Sequence, residues 1–249
     1  MQLANNSRLC IALDVPDTVD KVAPFIHTVL DATRDLVGAY KINPAFFLRY
    51  GDTGRRMFDV IVHHAHHAEV PVIFDAKYGD VPHTNEKYAE FVFDDLGVDA
   101  VTVNPYVGFD SLMPFMCNPD KTVFVLSSMS GPRSYQYQDT VHEDRIPMAV
   151  QVAIDAGETN EMVPAQIGLV MGTRFTDLVG ETTACAPTLP LLIPGLGAQG
   201  GVYVDVPNGI YVYGRSIMDL YSDSGPDWPV KMRAKAEELN EQSYTARPL

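Results

Sequence analysis

The stretch from Val70 to Thr84 reads VPVIFDAKYGDVPHT and joins an apolar run to a cluster of charges. Its first part, residues 70–74, predicts a short buried strand because it is apolar and rich in β-branched and aromatic side chains. Asp75 and Lys77 follow at alternate positions, which places both side chains on the same side of an extended chain. Burying such charges unpaired is unfavourable, so their alternating signs predict a functional electrostatic array.

An apolar run followed by a helix-like segment recurs along the chain on both sides of this stretch. Eight runs predict buried strands: 9–13, 38–42, 70–74, 100–103, 122–126, 166–170, 191–193 and 209–213. Segments with apolar residues three and four apart lie between most of them and predict helices: 18–34, 52–68, 84–96, 142–157 and 173–182. Eight strands alternating with helices is the count of a TIM (β/α)8 barrel, so an α/β barrel is the predicted fold.

An open doubly wound sheet is the alternative fold, since it needs the same alternation. Such sheets usually carry a glycine-rich phosphate turn after the first strand, whereas residues 14–17 contain no glycine. The connection between the last two strands, 194–208, is short and glycine-rich, which leaves little room for a crossover helix. No linker divides the chain, so residues 1–249 are expected to form a single barrel domain with a shortened connection at that place.

Composition narrows the classes of function. The chain is 46% hydrophobic and 20% charged, which is typical of a globular protein. No apolar run is long enough for a membrane span and the first residues lack signal-peptide features, so we expect a cytoplasmic protein that does not contact membranes. A formal net charge of -14 disfavours nucleic-acid binding, which depends on Lys and Arg neutralising phosphates. The three cysteines have no paired spacing, so neither a disulfide framework nor a zinc site is indicated.

Polar residues follow most of the predicted strands. In a barrel the carboxyl ends of the strands face the active site, so these side chains are expected to converge. The residues at these positions are Asp14, Lys41, Asp75, Lys77, the serines of 127–130, the segment 194–201, and Gly214, Arg215 and Ser216. The last two groups predict a phosphate site. Arg215 would supply the positive charge, Gln199 a neutral hydrogen-bond donor, and the glycine-rich backbone exposed N–H groups that can also donate to the phosphate. An ordinary turn and helix cap is the alternative for such loops.

These residues together resemble the orotidine 5'-monophosphate decarboxylases. The family signature Asp-x-Lys-x-x-Asp-[Ile/Val]-x-x-Thr is matched by Asp75, Lys77, Asp80, Val81 and Thr84. The similarity covers nearly the whole chain, through LCIALD at 9–14, KIN at 41–43, NPYVGFD at 104–110, GAQGG at 197–201 and GRS at 214–216. The NPYVGFD segment is similar to the bacterial-type subgroup in particular.

The resemblance implies a homodimeric barrel that converts orotidine 5'-monophosphate to UMP in de novo pyrimidine biosynthesis, with no metal and no organic cofactor. Lys77 resembles the residue that delivers a proton to the pyrimidine ring, and Asp75 the carboxylate placed beside that of the substrate. Lys41 and Asp80 resemble the other members of an alternating charge array. In this family the residues equivalent to Asp80 and Thr84 reach in from the partner subunit, so the two active sites are shared.

The resemblance also implies the substrate contacts. Asp14 and Lys41 resemble the residues that contact ribose hydroxyls. Gln199, Gly214 and Arg215 lie where the phosphate is bound. For the pyrimidine contact the candidates are Ser127, Ser128 and Ser130, and Ser130 is preferred because it precedes a Gly-Pro pair, as the serine of the family does.

Three other interpretations are compatible with the sequence. The related sugar-phosphate decarboxylases and synthases carry a similar Asp-x-Lys-x-x-Asp pattern but use magnesium. A nucleotide-binding barrel that has lost catalysis would keep the same binding residues. His63 and His67 fall on one helical face, but no carboxylate or cysteine completes a metal site with them, so a solvent-facing or packing role is favoured.

Overall fold

The protein closes into a parallel β-barrel, as the sequence predicts. The computed structural model describes residues 1–129, 131, 133–138, 140, 146–172, 176–196, 203–223 and 225–245. Neighbouring strands pair in chain order, and the first pairs with the last. The strands are β1 (Leu9–Ala12), β2 (Ala39–Ile42), β3 (Val72–Tyr78), β4 (Ala100–Val103), β5 (Thr122–Ser128), β6 (Gln166–Met171), β7 (Leu191–Ile193) and β8 (Gly209–Tyr213). The TIM-barrel prediction is therefore confirmed.

Helices alternate with the strands. They are α1 (Val22–Thr33), α2 (Ala45–Leu48), α3 (Gly51–His67), α4 (Pro82–Ala89), α5 (Phe109–Leu112), α6 (Tyr135–Gln138), α7 (Met148–Asn160), α8 (Thr176–Cys185), α9 (Arg215–Met218), α10 (Leu220–Asp223) and α11 (Trp228–Thr245). A π-helical turn at Glu90–Asp95 extends α4, and 3₁₀ turns lie at Pro105–Val107, Met113–Met116 and Gly225–Asp227. No helix in the described ranges is both long and apolar enough to cross a membrane.

Prolines mark the starts of two helices, and both starts differ from the boundaries predicted from the sequence. Pro82 is the first residue of α4. Its fixed φ suits a helix, and its lack of an N–H costs no hydrogen bond because the first N–H groups of a helix have no acceptor within the helix. Pro147 caps α7, which therefore begins at Met148 rather than at residue 142 as predicted from periodicity. Proline thus places both helix starts more accurately than the apolar spacing does.

Side chains of the strands alternate between two apolar layers. The layer inside the barrel consists of Cys10, Ala12, Ala39, Ile73, Ala100, Phe124, Val170, Leu192, Ile210 and Val212. Phe124 fits there because Gly168 on the neighbouring strand leaves space, and a Cβ at that position would lie 2.7 Å from the Phe124 ring. Continuing the same alternation toward the carboxyl ends of β1 to β4 brings four polar side chains to one end of the barrel: Asp14, Lys41, Asp75 and Thr102.

The connection between β7 and β8 has no helix in its described parts, 194–196 and 203–208. Arg8 instead holds this segment from the start of β1. Its guanidinium donates to Asp205 Oδ1 at 2.9 Å, to the Val206 carbonyl oxygen, and to the Tyr211 hydroxyl at 2.8 Å. The lack of a helix in these described parts agrees with the predicted short connection, and a partly buried ion pair between Arg8 and Asp205 fixes the chain there.

Candidate active site

A cavity of about 490 Å³ opens at the carboxyl ends of the strands. Six residues predicted from the sequence line it: Asp14, Lys41, Asp75, Lys77, Gly214 and Arg215. Pro194, Gly195 and Leu196, which begin the predicted segment 194–201, also line it, and residues without a predicted role such as Phe46 and Met129 complete the wall. Four of the predicted residues, Asp14, Lys41, Asp75 and Gly214, converge because each lies two residues after an inward-facing position of its strand.

Asp75 lies between two ammonium groups at the base of this cavity. Its Oδ2 accepts a hydrogen bond from Lys41 Nζ at 2.7 Å, and its Oδ1 accepts one from Lys77 Nζ at 2.6 Å. The side chains of Lys41 and Asp75 are 7% and 9% exposed, whereas that of Lys77 is 33% exposed and reaches further toward the opening. The alternating array predicted from Asp75 and Lys77 is therefore a continuous chain of ion pairs.

Burial and ion pairing oppose one another in setting the charges of this array. Burial alone would raise the pKa of Asp75, but the ammonium groups of Lys41 and Lys77 outweigh it and hold that pKa well below its usual range. Burial likewise acts to lower the pKa of Lys41, but Asp75 and Asp14 overcome it and the pKa lies above its ordinary value. Both groups are consequently charged at neutral pH.

Asp14 is the second carboxylate of the cavity, and no described residue forms an ion pair with it. Burial raises its pKa, and the nearby charge of Lys41 offsets part of that effect. Its Oδ1 is buried and has no hydrogen-bond partner among the described residues. Gly214 packs against the other oxygen, and a Cβ there would lie 2.7 Å from Asp14 Oδ2. A ligand hydroxyl would satisfy the unpaired oxygen, so Asp14 is suited to binding a polyol such as a ribose.

Two other members of the predicted signature, Asp80 and Thr84, lie elsewhere. Among the described residues that line the cavity, neither Asp80 nor Thr84 appears. Asp80 precedes α4, where its Oδ1 accepts from the Val81 amide at 2.7 Å and its carbonyl accepts from Asn85 Nδ2 at 2.6 Å. Thr84 lies on the first turn of α4. The chain therefore does not bring these two side chains to its own cavity.

The predicted pyrimidine and phosphate contacts are placed only in part. Ser130 and Gln199 lie outside the described residues. Ser127 is buried and donates to the Ala149 carbonyl at 2.7 Å, so its hydroxyl is used by the packing of α7. Ser128 is buried with no partner for its hydroxyl in the described ranges, and it is not among the residues that line the cavity.

One polar residue at this end of the barrel was missed by the sequence reasoning. Thr102, on β4, is fully buried and donates to Asp75 Oδ1 at 2.9 Å. Its position was visible as the only polar residue in the otherwise apolar run 100–103. Two residues after Ala100, it shares the inward face of that strand.

The histidine-rich end of α3 is paired with acidic side chains. His66 Nε2 lies 2.8 Å from Asp99 Oδ2, and His64 Nε2 lies 3.3 Å from Asp31 Oδ1. Across the described part of the chain, no three His, Cys, Asp or Glu residues are grouped closely enough to hold a metal ion.

Replacing Asp75 with asparagine is expected to destabilise the protein by about 3 kcal/mol at pH 7, because two cations then lose their buried partner. Since the folded-state pKa of Asp75 is depressed, its contribution is complete above the unfolded value of about 3.9 and is lost as the pH falls below it. The difference in the free energy of unfolding between wild type and Asp75→Asn, measured in urea, should therefore become smaller below about pH 4.

The matched control for this measurement is Asp35→Asn, which breaks an exposed ion pair with Arg233 and should cost less than about 1 kcal/mol. If the difference in the free energy of unfolding between wild type and Asp75→Asn stays constant from pH 7 down to pH 3, the ion pairs do not provide this stability.

Comparison with known proteins agrees with this geometry. The model of the orotidine 5'-phosphate decarboxylase / HUMPS family matches residues 7–216. The orotidine 5'-phosphate decarboxylase of Roseiflexus castenholzii is 36% identical over 255 aligned positions, which cover 95% of this chain and 92% of that protein. The protein of the same name from Thermomicrobium roseum is 40% identical over 212 positions, covering 79% and 73%.

Solved structures agree with the sequence comparison. The OMP decarboxylase of Leishmania donovani matches with a TM-score of 0.81 at 32% identity, covering 96% of this chain and 94% of that one. The sequence match and the shared barrel both extend over the strands that carry the cavity residues. This chain belongs to the orotidine 5'-phosphate decarboxylase family.

Proposed function

We propose that this protein is a carboxy-lyase that converts orotidine 5'-monophosphate to UMP, a step of pyrimidine biosynthesis. The observation that carries the proposal is the Asp75 carboxylate held between the Lys41 and Lys77 ammonium groups at the base of the cavity. Such an array offers a cation to a developing carbanion and an anion to the leaving carboxylate. The names of the relatives from Roseiflexus castenholzii and Thermomicrobium roseum support this substrate.

Lys77 has the central chemical role in this proposal. When carbon dioxide leaves the pyrimidine ring, the electron pair of the broken bond stays on an sp² carbon that no conjugated system can stabilise. An ammonium beside that carbon attracts the localised carbanion more strongly than the delocalised carboxylate, which lowers the barrier. Lys77 then donates a proton to the same carbon as a general acid. Because one side chain supplies both effects, the reaction needs no metal or organic cofactor.

Asp75 contributes by repelling the carboxylate of the substrate. Two unit charges about 4 Å apart at an effective dielectric near 20 repel by roughly 4 kcal/mol, and this repulsion ends when carbon dioxide departs. An effect of that size is too small to account for the whole acceleration of a very slow reaction. Stabilisation by Lys77, together with binding energy from the phosphate, therefore outweighs strain from Asp75.

The substrate contacts follow from the positions around the cavity. Asp14 and Lys41 are assigned to the ribose hydroxyls, since Asp14 has a buried oxygen free for a donor. Arg215 at the rim is assigned to the phosphate, with the Gly214 backbone beside it. Ser130 is assigned to the pyrimidine and Gln199 to the phosphate on the family resemblance alone.

A homodimer with shared sites completes the proposal. Asp80 and Thr84 belong to the family signature yet do not line the cavity of their own chain in its described part. Next to them, the apolar side chain of Val81 is 58% exposed and is therefore available for a subunit contact. Asp80 and Thr84 are accordingly assigned to the cavity of the partner. We also propose a single domain over residues 1–249 and a cytoplasmic location, where nucleotides are made.

The direct test is turnover of orotidine 5'-monophosphate by the purified protein, followed by ultraviolet absorbance with and without EDTA. We expect the same rate in both. Loss of turnover with EDTA would indicate metal dependence, as in the magnesium-dependent sugar-phosphate enzymes, and would refute the proposal; tight UMP binding without turnover would indicate a non-catalytic nucleotide-binding barrel.

The Arg215→Ala variant tests the phosphate assignment. Hydrogen bonds to charged groups contribute about 1.5–3 kcal/mol, so we expect kcat/KM to fall by about tenfold to a hundredfold, mainly through KM. Arg215→Lys keeps the charge without the planar fork and should lose less. An unchanged KM in Arg215→Ala would place the phosphate elsewhere.

A further inference from the structure

The pairing of β3 with β4 shifts register beside the charge array. Phe74 pairs with Val101, but the next pair joins Tyr78 to Val103. Residues 75–77 therefore all lie opposite the single residue Thr102. A strand that carries extra residues leaves backbone groups without ladder partners, and bulges of this kind often redirect a side chain near an active site.

Thr102 supplies the hydrogen bond that the ladder lacks. Its Oγ1 accepts from the backbone amide of Lys77 at 3.0 Å and donates to Asp75 Oδ1 at 2.9 Å. The hydroxyl has one proton, so its use toward the carboxylate leaves a lone pair for the amide. The side chain is fully buried, which removes competition from water.

These contacts close a ring around the reactive lysine. The ring runs from the Lys77 amide through the Thr102 hydroxyl to Asp75, and returns through the 2.6 Å bond between Asp75 and Lys77 Nζ. Lys77 has a φ of +54°, a left-handed backbone conformation that residues other than glycine rarely adopt. A conformation of this kind persists only where its surroundings hold it, and Thr102 holds both the backbone and, through Asp75, the ammonium.

We propose that Thr102 is a positioning residue for decarboxylation, one that sets where the Lys77 ammonium and the Asp75 carboxylate lie relative to the reacting carbon. This inference rests on the proposed function of the cavity. Thr102 is not among the described residues that line the cavity, so it has no assigned contact with substrate. Its removal should therefore affect kcat and leave KM nearly unchanged.

The test compares Thr102→Val with Thr102→Ser. Valine keeps the shape and removes the hydroxyl, and a displacement of about 1 Å in a reacting group is enough to reduce a rate roughly a hundredfold. We expect kcat to fall by about tenfold to a hundredfold with KM within about threefold of wild type. Thr102→Ser keeps the hydroxyl, so its kcat should stay within about threefold of the wild-type value.

Thr182→Val is the matched control. Thr182 is also fully buried, but its hydroxyl has no hydrogen-bond partner within the described ranges. It lies on α8, in the outer ring of helices, so its replacement should leave both kcat and KM at wild-type values. This variant separates the loss of the Thr102 hydrogen bonds from the general effect of replacing a buried threonine by valine.

Each result decides between the inference and its alternatives. Wild-type kcat in Thr102→Val, or an equal loss in Thr102→Ser, would overturn the positioning role. If Thr102→Val does not fold, Thr102→Ala should be at least about tenfold slower than Thr102→Ser, and equal rates would overturn the role. A wild-type protein without turnover would instead refute the proposed function, so the two failures are distinguishable.

Discussion

Lys77→Ala is expected to reduce kcat by at least about 10⁴-fold, the largest effect of any single substitution in this protein. General acid catalysis is worth roughly 10²–10⁴, and a well-placed electrostatic group roughly 10²–10³ in addition. Both contributions come from one ammonium in our proposal, so both are lost together. The measurement is single-turnover conversion of orotidine 5'-monophosphate at saturating enzyme.

The fold and the binding of product should survive this substitution. Asp75 keeps its 2.7 Å ion pair with Lys41, so no carboxylate is left buried without a cation. We expect UMP to bind within about tenfold of its wild-type affinity. Lys235→Ala, which removes a lysine paired with Glu238 on α11, is the matched control and should be fully active. Retention of more than about 1% of kcat in Lys77→Ala would contradict the role of Lys77.

Mixing two inactive variants is expected to restore activity. Lys41→Ala damages the cavity of its own chain, whereas Asp80→Ala is proposed to damage the cavity of its partner. A hybrid dimer then contains one cavity with both substitutions and one with neither. Random exchange makes about half of the dimers hybrids, so about a quarter of wild-type activity should return.

The control for this experiment is a mixture of Lys41→Ala with Lys77→Ala. Both residues line the cavity of their own chain, so hybrids of these variants contain no intact site and activity should stay absent. Exchange of subunits is confirmed by mass-tagging one partner. If hybrids form and no activity returns, the assignment of Asp80 to the partner is wrong, while the chemistry assigned to Lys77 is unaffected.

The barrel was predictable because its strands are buried on both faces. Such strands appear in a sequence as short continuous apolar runs, and the runs 100–103, 191–193 and 209–213 coincide with β4, β7 and β8. The prediction for β3 was less accurate, ending at Phe74 whereas the strand continues to Tyr78. The apolar pattern stops at Asp75, but the strand continues because ion pairs neutralise the charges that follow.

Most of the cavity was predictable for a related reason. Parallel strands of a barrel bring their carboxyl ends to one face, so Asp14, Lys41 and Lys77 had to converge once the strands were located. The role of Thr102 was not predictable in this way, because it depends on a register shift between β3 and β4. Register is a relation between two strands and has no signature in either one alone.

The sequence by itself determined the order of strands and helices, the charged residues at the strand ends and the family to which they belong. Local periodicity and side-chain chemistry suffice for these properties, since each is encoded within a few neighbouring residues. The tertiary structure alone decided that Asp75 is shared between two lysines, that Lys77 adopts a left-handed backbone tied to Thr102, and that Asp80 is not among the described residues lining its own cavity. These features depend on how segments far apart in the chain meet, and only the closed barrel sets those distances.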